Sequence, residues 1–506
     1  MFRLHFLPIA VGSMTWMATL AHAELNAQQV WQDIEQQFKD AGYMVAATPF
    51  NDGKDLNIRD LQIAQIIPDT ETQVIFDIGQ MVFEKLSDGR VSIIMPDSYP
   101  IYLRREGSDE NNFALTLTQY SKDLTVFATE QGDAMSYAYL ADYIGFRVKD
   151  FEADDFDANT DTLVADLRIT DITATMTTQQ GEVTARDTAA TFGAINFDMS
   201  AQAQGNDQFN AEVKFAVNAI TYAEQLSLPK GASMMDPDAA MLAGLTYNTV
   251  FGAENIRLEV DAQQDADDIA LSFGSGPLDT TLSYSSDHIY LQGNANDMQF
   301  DLLAPDLPLP VNGTLGKASY NFDIPLSAQP KDQAFGLGMS FTGLGMSESL
   351  WTLFDPQAYL SRDPLGLSFK VIGTGRLGVN LLEMDRMKRE PEYIKDGELK
   401  SLRLEDFVIE GLGARVMAQG DFTFDNSDLE TFDGMPRPQG SGTVVLNGLN
   451  DVMSSLLDLG LIDESQMFMA RMMVGGFMMP TGDDELTSEF KITPDGEFFA
   501  NGQRLR

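Results

Sequence analysis

At 506 residues with 44% apolar side chains, the chain can bury a sizeable core in one large domain or a few ordinary ones, which excludes global disorder. Its 33 Lys and Arg stand against 76 Asp and Glu, and the formal charge of −43 repels phosphate backbones, which excludes nucleic acid as a partner. Cysteine is absent, so disulfides, thiolate metal sites and thiol nucleophiles are excluded together; of 3 histidines, His5 and His22 fall in the N-terminal segment expected to be removed, and His288 alone is too few for a multi-histidine zinc site.

The first residues read as a secretory signal. Arg3 supplies the positive start, Phe6 to Leu20 the apolar stretch, and Ala21-His22-Ala23 the small-x-small site that a signal peptidase accommodates. Residues 1–23 are therefore expected to be cleaved after Ala23, leaving a mature chain from Glu24 that works outside the cytoplasm. No later segment reaches the length of a membrane helix, so no transmembrane segment is expected in that mature chain. Without cysteine, a lipid-modified N-terminus is excluded.

A helix follows from Ala27 to Ala41, where Val30, Ile34 and Phe38 recur at helical spacing and Gly42 suits a left-handed stop. The period then becomes two. Leu56, Ile58, Leu61 and Ile63 mark a strand with one offset. Val74, Phe76 and Ile78, then Val91 and Ile93, then Phe113, Leu115 and Leu117 continue the alternation. Tyr137 to Ile144 reads as a short helix. Beyond it, Leu167 and Ile169, Phe209 to Val217, Ile256 to Val260, Ile269 to Phe273, Tyr320 to Ile324, Leu367 to Val371 and Phe422 to Phe424 alternate again.

Met234 to Leu245 reads as a helix capped by Asp236 with Pro237 in its first turn. Near the end, Val452, Leu456 and Leu459 form an apolar stripe ended by Gly460. Asp463 then caps a second helix to about Val474, giving a helical hairpin before strands at Leu486 to Ile492 and Glu497 to Ala500.

Three segments share a pattern: Leu56-Asn57-Ile58-Arg59-Asp60-Leu61, Leu167-Arg168-Ile169-Thr170-Asp171-Ile172 and Leu402-Arg403-Leu404-Glu405-Asp406-Phe407. In each the Asp falls where alternation slips by one residue, as a bulge or tight bend requires. The pattern predicts a mainly β (α+β) fold: a long curved antiparallel sheet with a few helices, including the N-terminal helix and the C-terminal hairpin. Gln225 to Asp238 is the best boundary and Ala304 to Asn312 the next. The expected halves are 24–230, with the leading helix, and 231–506, with the hairpin, sharing a continuous sheet.

Candidate chemistry is sparse. Asp155, Asp157, Asn159, Asp161 and Asp166 occupy the ligand spacing of a calcium loop, but Thr160 stands where glycine is needed and a strand follows. Calcium is thus a weak cofactor candidate, and none other is expected. Ser227-Leu228-Pro229-Lys230 matches serine-x-x-lysine, with Pro229 set to disturb the helix that chemistry requires. His288, beside Asp287, reads as a surface histidine. Met467, Met469, Met472 and Met473, with Phe477, offer a flexible apolar surface for a ligand or partner, or an irregular core filled by adaptable side chains.

Several segments together carry a resemblance: Met95-Pro96-Asp97-Ser98-Tyr99-Pro100, Trp351-Thr352-Leu353-Phe354-Asp355-Pro356 before Arg362-Asp363-Pro364, Phe422 to Leu429 leading to Gly434-Met435-Pro436, and Thr493-Pro494-Asp495-Gly496 before Asn501 to Leu505. These resemble the alphaproteobacterial domain-of-unknown-function 2125 family over nearly the whole mature chain. The resemblance implies a Gram-negative envelope setting, the periplasm, and brings no catalytic residue to any position. More distantly, the pattern is similar to AsmA-like envelope proteins, whose curved sheets are thought to handle lipids. The leading expectation is non-enzymatic binding or shielding of an apolar, lipid-like ligand, or envelope assembly, with lipid or an envelope protein as partner. A structural or protein-interaction module using its sheet edges and acidic face, and an envelope-polymer hydrolase, are the alternatives. The basic C-terminal residues Arg504 and Arg506 argue against an outer-membrane barrel.

Overall fold

The computed structural model describes residues 25–51, 55–67, 70–105, 112–153, 156, 160–203, 208–234, 236–264, 267–390 and 397–505. The expected signal peptide and its cleavage site lie outside them. The protein is mainly β and antiparallel, with an N-terminal helix and a C-terminal helical pair. It divides into two compact units, Met1–Asp279 with Leu302–Pro308, and Thr280–Asp301 with Leu309–Arg506.

The first unit opens with α1 (Ala27–Asp40), followed by β1 (Met44–Asn51), β2 (Leu56–Ile67), β3 (Thr72–Lys85), β4 (Val91–Ile94), β5 (Ser98–Arg105), β6 (Phe113–Lys122) and β7 (Thr125–Gln131). The long strands β8 (Ala134–Ala153), β9 (Thr162–Gln179), β10 (Val183–Ala203) and β11 (Phe209–Pro229) come next. After α2 (Pro237–Leu242) follow β12 (Thr246–Ala253), β13 (Asn255–Gln264) and β14 (Asp267–Ser275). Then come β15 (Leu278–Tyr284) and β16 (His288–Leu303). The second unit continues with β17 (Val311–Pro325), β18 (Gln333–Met346), α3 (Glu348–Phe354), β19 (Leu365–Arg376), α4 (Met384–Arg389), β20 (Glu398–Gly411), β21 (Ala414–Asp425) and β22 (Arg437–Asn447). The helices α5 (Leu449–Asp458) and α6 (Glu464–Phe477) precede β23 (Met479–Gly482), β24 (Glu485–Ile492), β25 (Phe498–Ala500) and β26 (Gln503–Arg504).

Helix α1 starts where Asn26 and Gln29 cap one another reciprocally, at 2.9 and 3.1 Å, and its chain turns at Gly42 with φ 86°. It buries Val30 and Trp31 among Leu56, Ile58, Leu61, Ile63 and Phe83, with Trp31 edge-on to Phe83 at 6.0 Å. The hydroxyl of Tyr137 on β8 donates to Asp33 of α1, tying the helix to the sheet; burial first, then the Asp33 charge, pushes that phenol far above its ordinary pKa.

Long strands carry a recurrent irregularity. Asp60 in β2, Gly79 in β3, Asp171 in β9 and Ala219 in β11 adopt φ of 52°, 74°, 50° and 49°, and the β2–β3 register shifts at Leu61. Where β8 passes beside β9, Ala141 faces Ile172 and Tyr143 faces Thr170, so Asp142 and Asp171 drop out of the ladder together. Gly193 of β10 drops out opposite Ala219, and a Cβ there would lie 2.3 Å from the Asp171 carboxylate, so only glycine fits beneath that side chain. In the second unit Asp297 of β16 and Gly343 of β18 adopt φ of 51° and 77°. The register of β20 slips between Leu404 and Phe407. All three Asp of the sequence repeat therefore coincide with a break in the ladder, a register shift at Asp60 and beside Asp406 and a matched drop-out on both strands at Asp171.

The slip explains one correction. Tyr137 to Ile144 is strand, not helix, because it lies wholly within β8. Helices α3 and α4 add to those expected, while α2, α5 and α6 fall where the capping residues place them. Asp236 accepts from the Ala239 amide at 3.1 Å, and Asp463 and Gln466 form a reciprocal cap.

Asp60 tests the bulge directly. Asp60→Gly should leave stability within about 1 kcal/mol of the parent, because glycine accepts positive φ freely. Asp60→Val should lose roughly 1–2 kcal/mol or more, because a β-branched residue pays the left-handed penalty. Urea unfolding followed by tryptophan fluorescence compares them, and equal midpoints for the two variants would refute the assignment.

Candidate functional site

Side chains alternate along a strand, and directly paired residues share a face, so the register lays out each face of the sheet row by row. In the first unit Phe146, Leu167, Phe197, Phe215, Leu258 and Phe273 stand side by side across β8, β9, β10, β11, β13 and β14. The next row is Ala165, Met199, Val213, Val260 and Leu271, and the next Leu163, Ala201, Ala211, Ala262 and Ile269. Between these rows, on the opposite face, stand Asp166, Asp198, Lys214, Glu259 and Ser272. One face is thus free of charge over five strands and the other is studded with it. The apolar rows are half-buried for the most part rather than closed, and Ile269 is 44% exposed.

At the bulges the extra residue exchanges the faces, so apolar residues three apart fall on the same side. Ile169 and Ile172, Phe192 and Ile195, and Val217 and Ile220 flank the irregular positions and pack into small clusters along that line. Beyond it the same face becomes mixed. Glu224, 5% exposed, accepts from Arg186 at 2.9 Å and from the Tyr222 hydroxyl at 2.9 Å, and its ion pair with Arg186 measures 2.8 Å. Burial pushes the Tyr222 and Tyr247 phenols up. Both carboxylate oxygens of Glu224 are engaged, so it ties β10 to β11.

The second unit repeats the two-faced arrangement. Leu337, Val371, Leu404, Gly420, Gly442 and Phe490 align across β18, β19, β20, β21, β22 and β24. Beside them run Met339, Phe369, Phe407, Ala418, Val444 and Ser488. At the β22–β24 end, α6 lies against this face and leaves an open depression of about 330 Å³ lined by Val444, Met473, Val474, Phe477, Met478, Ser488 and Phe490. Of the Met-rich residues singled out from the sequence, Met473 and Phe477 line this depression. Met469 and Met472 point outward at 54% and 61% exposure, and Met467 is half-buried.

The other candidates are placed apart. Asp155, Asp157 and Asn159 lie outside the described residues. Asp161 is half-buried and accepts from the Thr160 hydroxyl at 3.0 Å, while Asp166 stands on β9, held by the Tyr120 hydroxyl and by Arg147 at 2.8 Å. Burial pushes Asp166 up, and these two partners more than offset it, keeping the carboxyl below the usual range. Among the described residues no group of three or more acidic or histidine side chains is arranged to hold a metal. Ser227 lies in β11, where a strand separates it from the geometry that serine-x-x-lysine chemistry needs, and Lys230 lies 3.7 Å from Glu182. His288 Nε2 faces the Asp323 carboxylate at the start of β16.

The sequence reading missed the role of Asp355. Fully buried after α3, it accepts from the amides of Tyr359 and Leu360, both at 2.9 Å, and from Arg362 at 2.5 Å, whose guanidinium lies 4.4 Å over Trp351. This clasp ties Trp351, Asp355 and Arg362 together. It is a loop anchor. Burial pushes the Asp355 carboxyl up, but the two amides and Arg362 outweigh it and hold it below the usual carboxylate range.

No protein-family model matches the chain, and no curated protein does. Among solved structures it is similar to the ferric citrate transporter FecA in its unliganded form. That likeness has a TM-score of 0.16 and 8% identity over 91% of this chain and 76% of that one, and it carries no argument about fold or function.

Asp355 yields a pH prediction. A carboxyl whose folded pKa is depressed stabilises the fold above its unfolded pKa and loses that contribution as pH falls through the folded value. Asp355→Asn should therefore unfold at lower urea than the parent near about pH 7, with the gap closing toward about pH 3. A gap that stays constant between the two pH values would refute it.

Proposed function

We propose that the protein is a non-enzymatic, periplasmic envelope protein that binds or shields an apolar, lipid-like ligand on the open apolar face of its sheet. One observation carries this reading: successive cross-strand rows of Phe, Leu, Val, Ile, Met and Ala run charge-free across β9 to β14 and stay partly open to solvent, while the opposite face holds the charge. Exposed contiguous apolar surface on this scale is rare in a protein that works alone and marks a binding surface. An acyl chain laid along the rows gains about 0.8 kcal/mol per methylene removed from water, and a face without polar groups imposes no register, so chain length sets affinity. The signal-like N-terminus and the motif resemblance to the domain-of-unknown-function 2125 family support the periplasmic setting.

The test uses the mature chain and a fluorescent fatty acid. Saturable binding is expected. Phe215→Asp, which places a charge in the central row, should weaken it at least about tenfold, while Lys214→Ala on the opposite face should leave it unchanged. Absence of binding by the parent, together with no lipid recovered by native mass spectrometry, would overturn the proposal.

A further inference from the structure

Helix α6 is held unusually loosely for a helix that lines an open depression. None of its residues is buried, and its fixed point is its C-terminal end, where the Phe477 carbonyl accepts from Ser488 at 2.6 Å and Asn501 at 2.8 Å. Fourteen residues, about 21 Å of helix, gain little stability in water without an apolar face to bury. Yet Phe468, Met469, Met472 and Met473 are 54% to 68% exposed, and Leu461 at the hairpin turn is 67% exposed. In a chain of charge −43, α6 carries only Glu464 and Arg471.

We propose that the α5–α6 hairpin docks on a zwitterionic lipid surface, an inference that rests on the lipid-binding reading of the sheet face. The occupant follows from two features. First, the exposed patch and the depression share Met473 and Phe477, so apolar surface runs without a break from the outside of the hairpin to the β22–β24 end of the sheet face. A bilayer is the partner that covers the outside and also supplies a guest for the inside. Second, Asp458, Asp463 and Glu464 surround the hairpin turn and repel anionic headgroups, which selects a neutral surface. The helix is too short to cross the hydrocarbon core and has the length and composition to lie in the interface. Unbranched methionines adapt to disordered acyl chains without a fixed complementary shape.

Flotation of the mature chain with phosphatidylcholine vesicles tests this. The parent should float with the vesicles, and replacing part of the lipid by anionic phosphatidylglycerol should reduce the floated fraction. The triple variant Phe468→Ser, Met469→Ser, Met472→Ser spares every residue that lines the depression, and it should lose at least about tenfold in vesicle binding. It should still bind the fluorescent fatty acid free in solution, which shows that the fold and the sheet face are intact. A parent that stays with the protein fraction, or a variant that floats equally, overturns the docking. A parent that is dimeric by light scattering where the variant is monomeric assigns the patch to a second copy and also overturns it. Loss of fatty-acid binding by the parent itself, with flotation preserved, defeats the reading of the sheet face instead.

Discussion

In an antiparallel strand each added residue turns the following side chains to the other face, so one extra residue held at positive φ exchanges inside and outside for everything after it. Asp60, Gly79, Asp171, Ala219, Asp297 and Gly343 are such residues, and on neighbouring strands they fall beside one another or beside a break between two shorter strands. Without the slip, a strand as long as β10 or β11 would present its apolar alternation to one side at its start and to the other at its end. With it, Phe192 and Ile195, or Val217 and Ile220, stay on one side, and an apolar face extends through the irregular line instead of switching across it. Asp and Gly recur there because they reach the left-handed region at least cost.

That constraint also decides where the molecule is closed and where it is open. On the α1 side of the line, β2, β3, β4, β7 and β8 send Ile58, Leu61, Met81, Phe83, Val91 and Tyr137 into one core under the helix. On the other side, among the described residues, the rows of β9, β10, β11, β13 and β14 remain half-buried for the most part. In the second unit α6 lies against the β22–β24 end and leaves an open apolar depression there instead of filling it. The polar tie of Arg186, Glu224, Tyr222 and Tyr247 sits on the closed side, where satisfied hydrogen bonds fix neighbouring strands without adding charge to the open rows.

Much of the fold was legible in the residues. Period-two alternation located most strands, the spacing of Val30, Ile34 and Phe38 located α1, and caps at Asp236 and Asp463 located α2 and α6. The Leu-x-Ile-x-Asp repeat pointed to the bulges, because a slip in alternation has no other local cause. The same slip misled the reading of Tyr137 to Ile144. With Asp142 out of the ladder, Tyr137, Ala141 and Ile144 fall four and three residues apart, which is the spacing of a helix face. The face itself was less legible. Alternation shows that Phe197 and Phe215 each belong to an apolar side, but only the register shows that they stand opposite one another in one uncharged row. The Met-rich segment stood out by composition, whereas which of its side chains border the depression, as Met473 and Phe477 do and Met469 and Met472 do not, depends on where α6 lies over β22 and β24. Asp355 gave no signal beyond its place in a motif, since nothing in an acidic chain distinguishes a buried carboxylate that accepts two backbone amides and an arginine from the many that face water.

The charge of −43 acquires a physical role once the open face is known. Two copies with half-exposed rows of Phe, Leu and Val would bury those rows against each other unless something opposed close approach. At physiological salt a charge acts over about 8 Å, so a net charge keeps copies apart chiefly at the short range where two such faces would mate. Asp166, Asp198 and Glu259 lie on the other side of the very strands that carry the rows, so they bring that repulsion to the place where association threatens without entering the apolar surface. An uncharged guest feels none of it. A charge-free face backed by a charged reverse, net acidic although Lys214 stands in it, would thus oppose a second copy of the chain more than the neutral apolar ligand proposed for it.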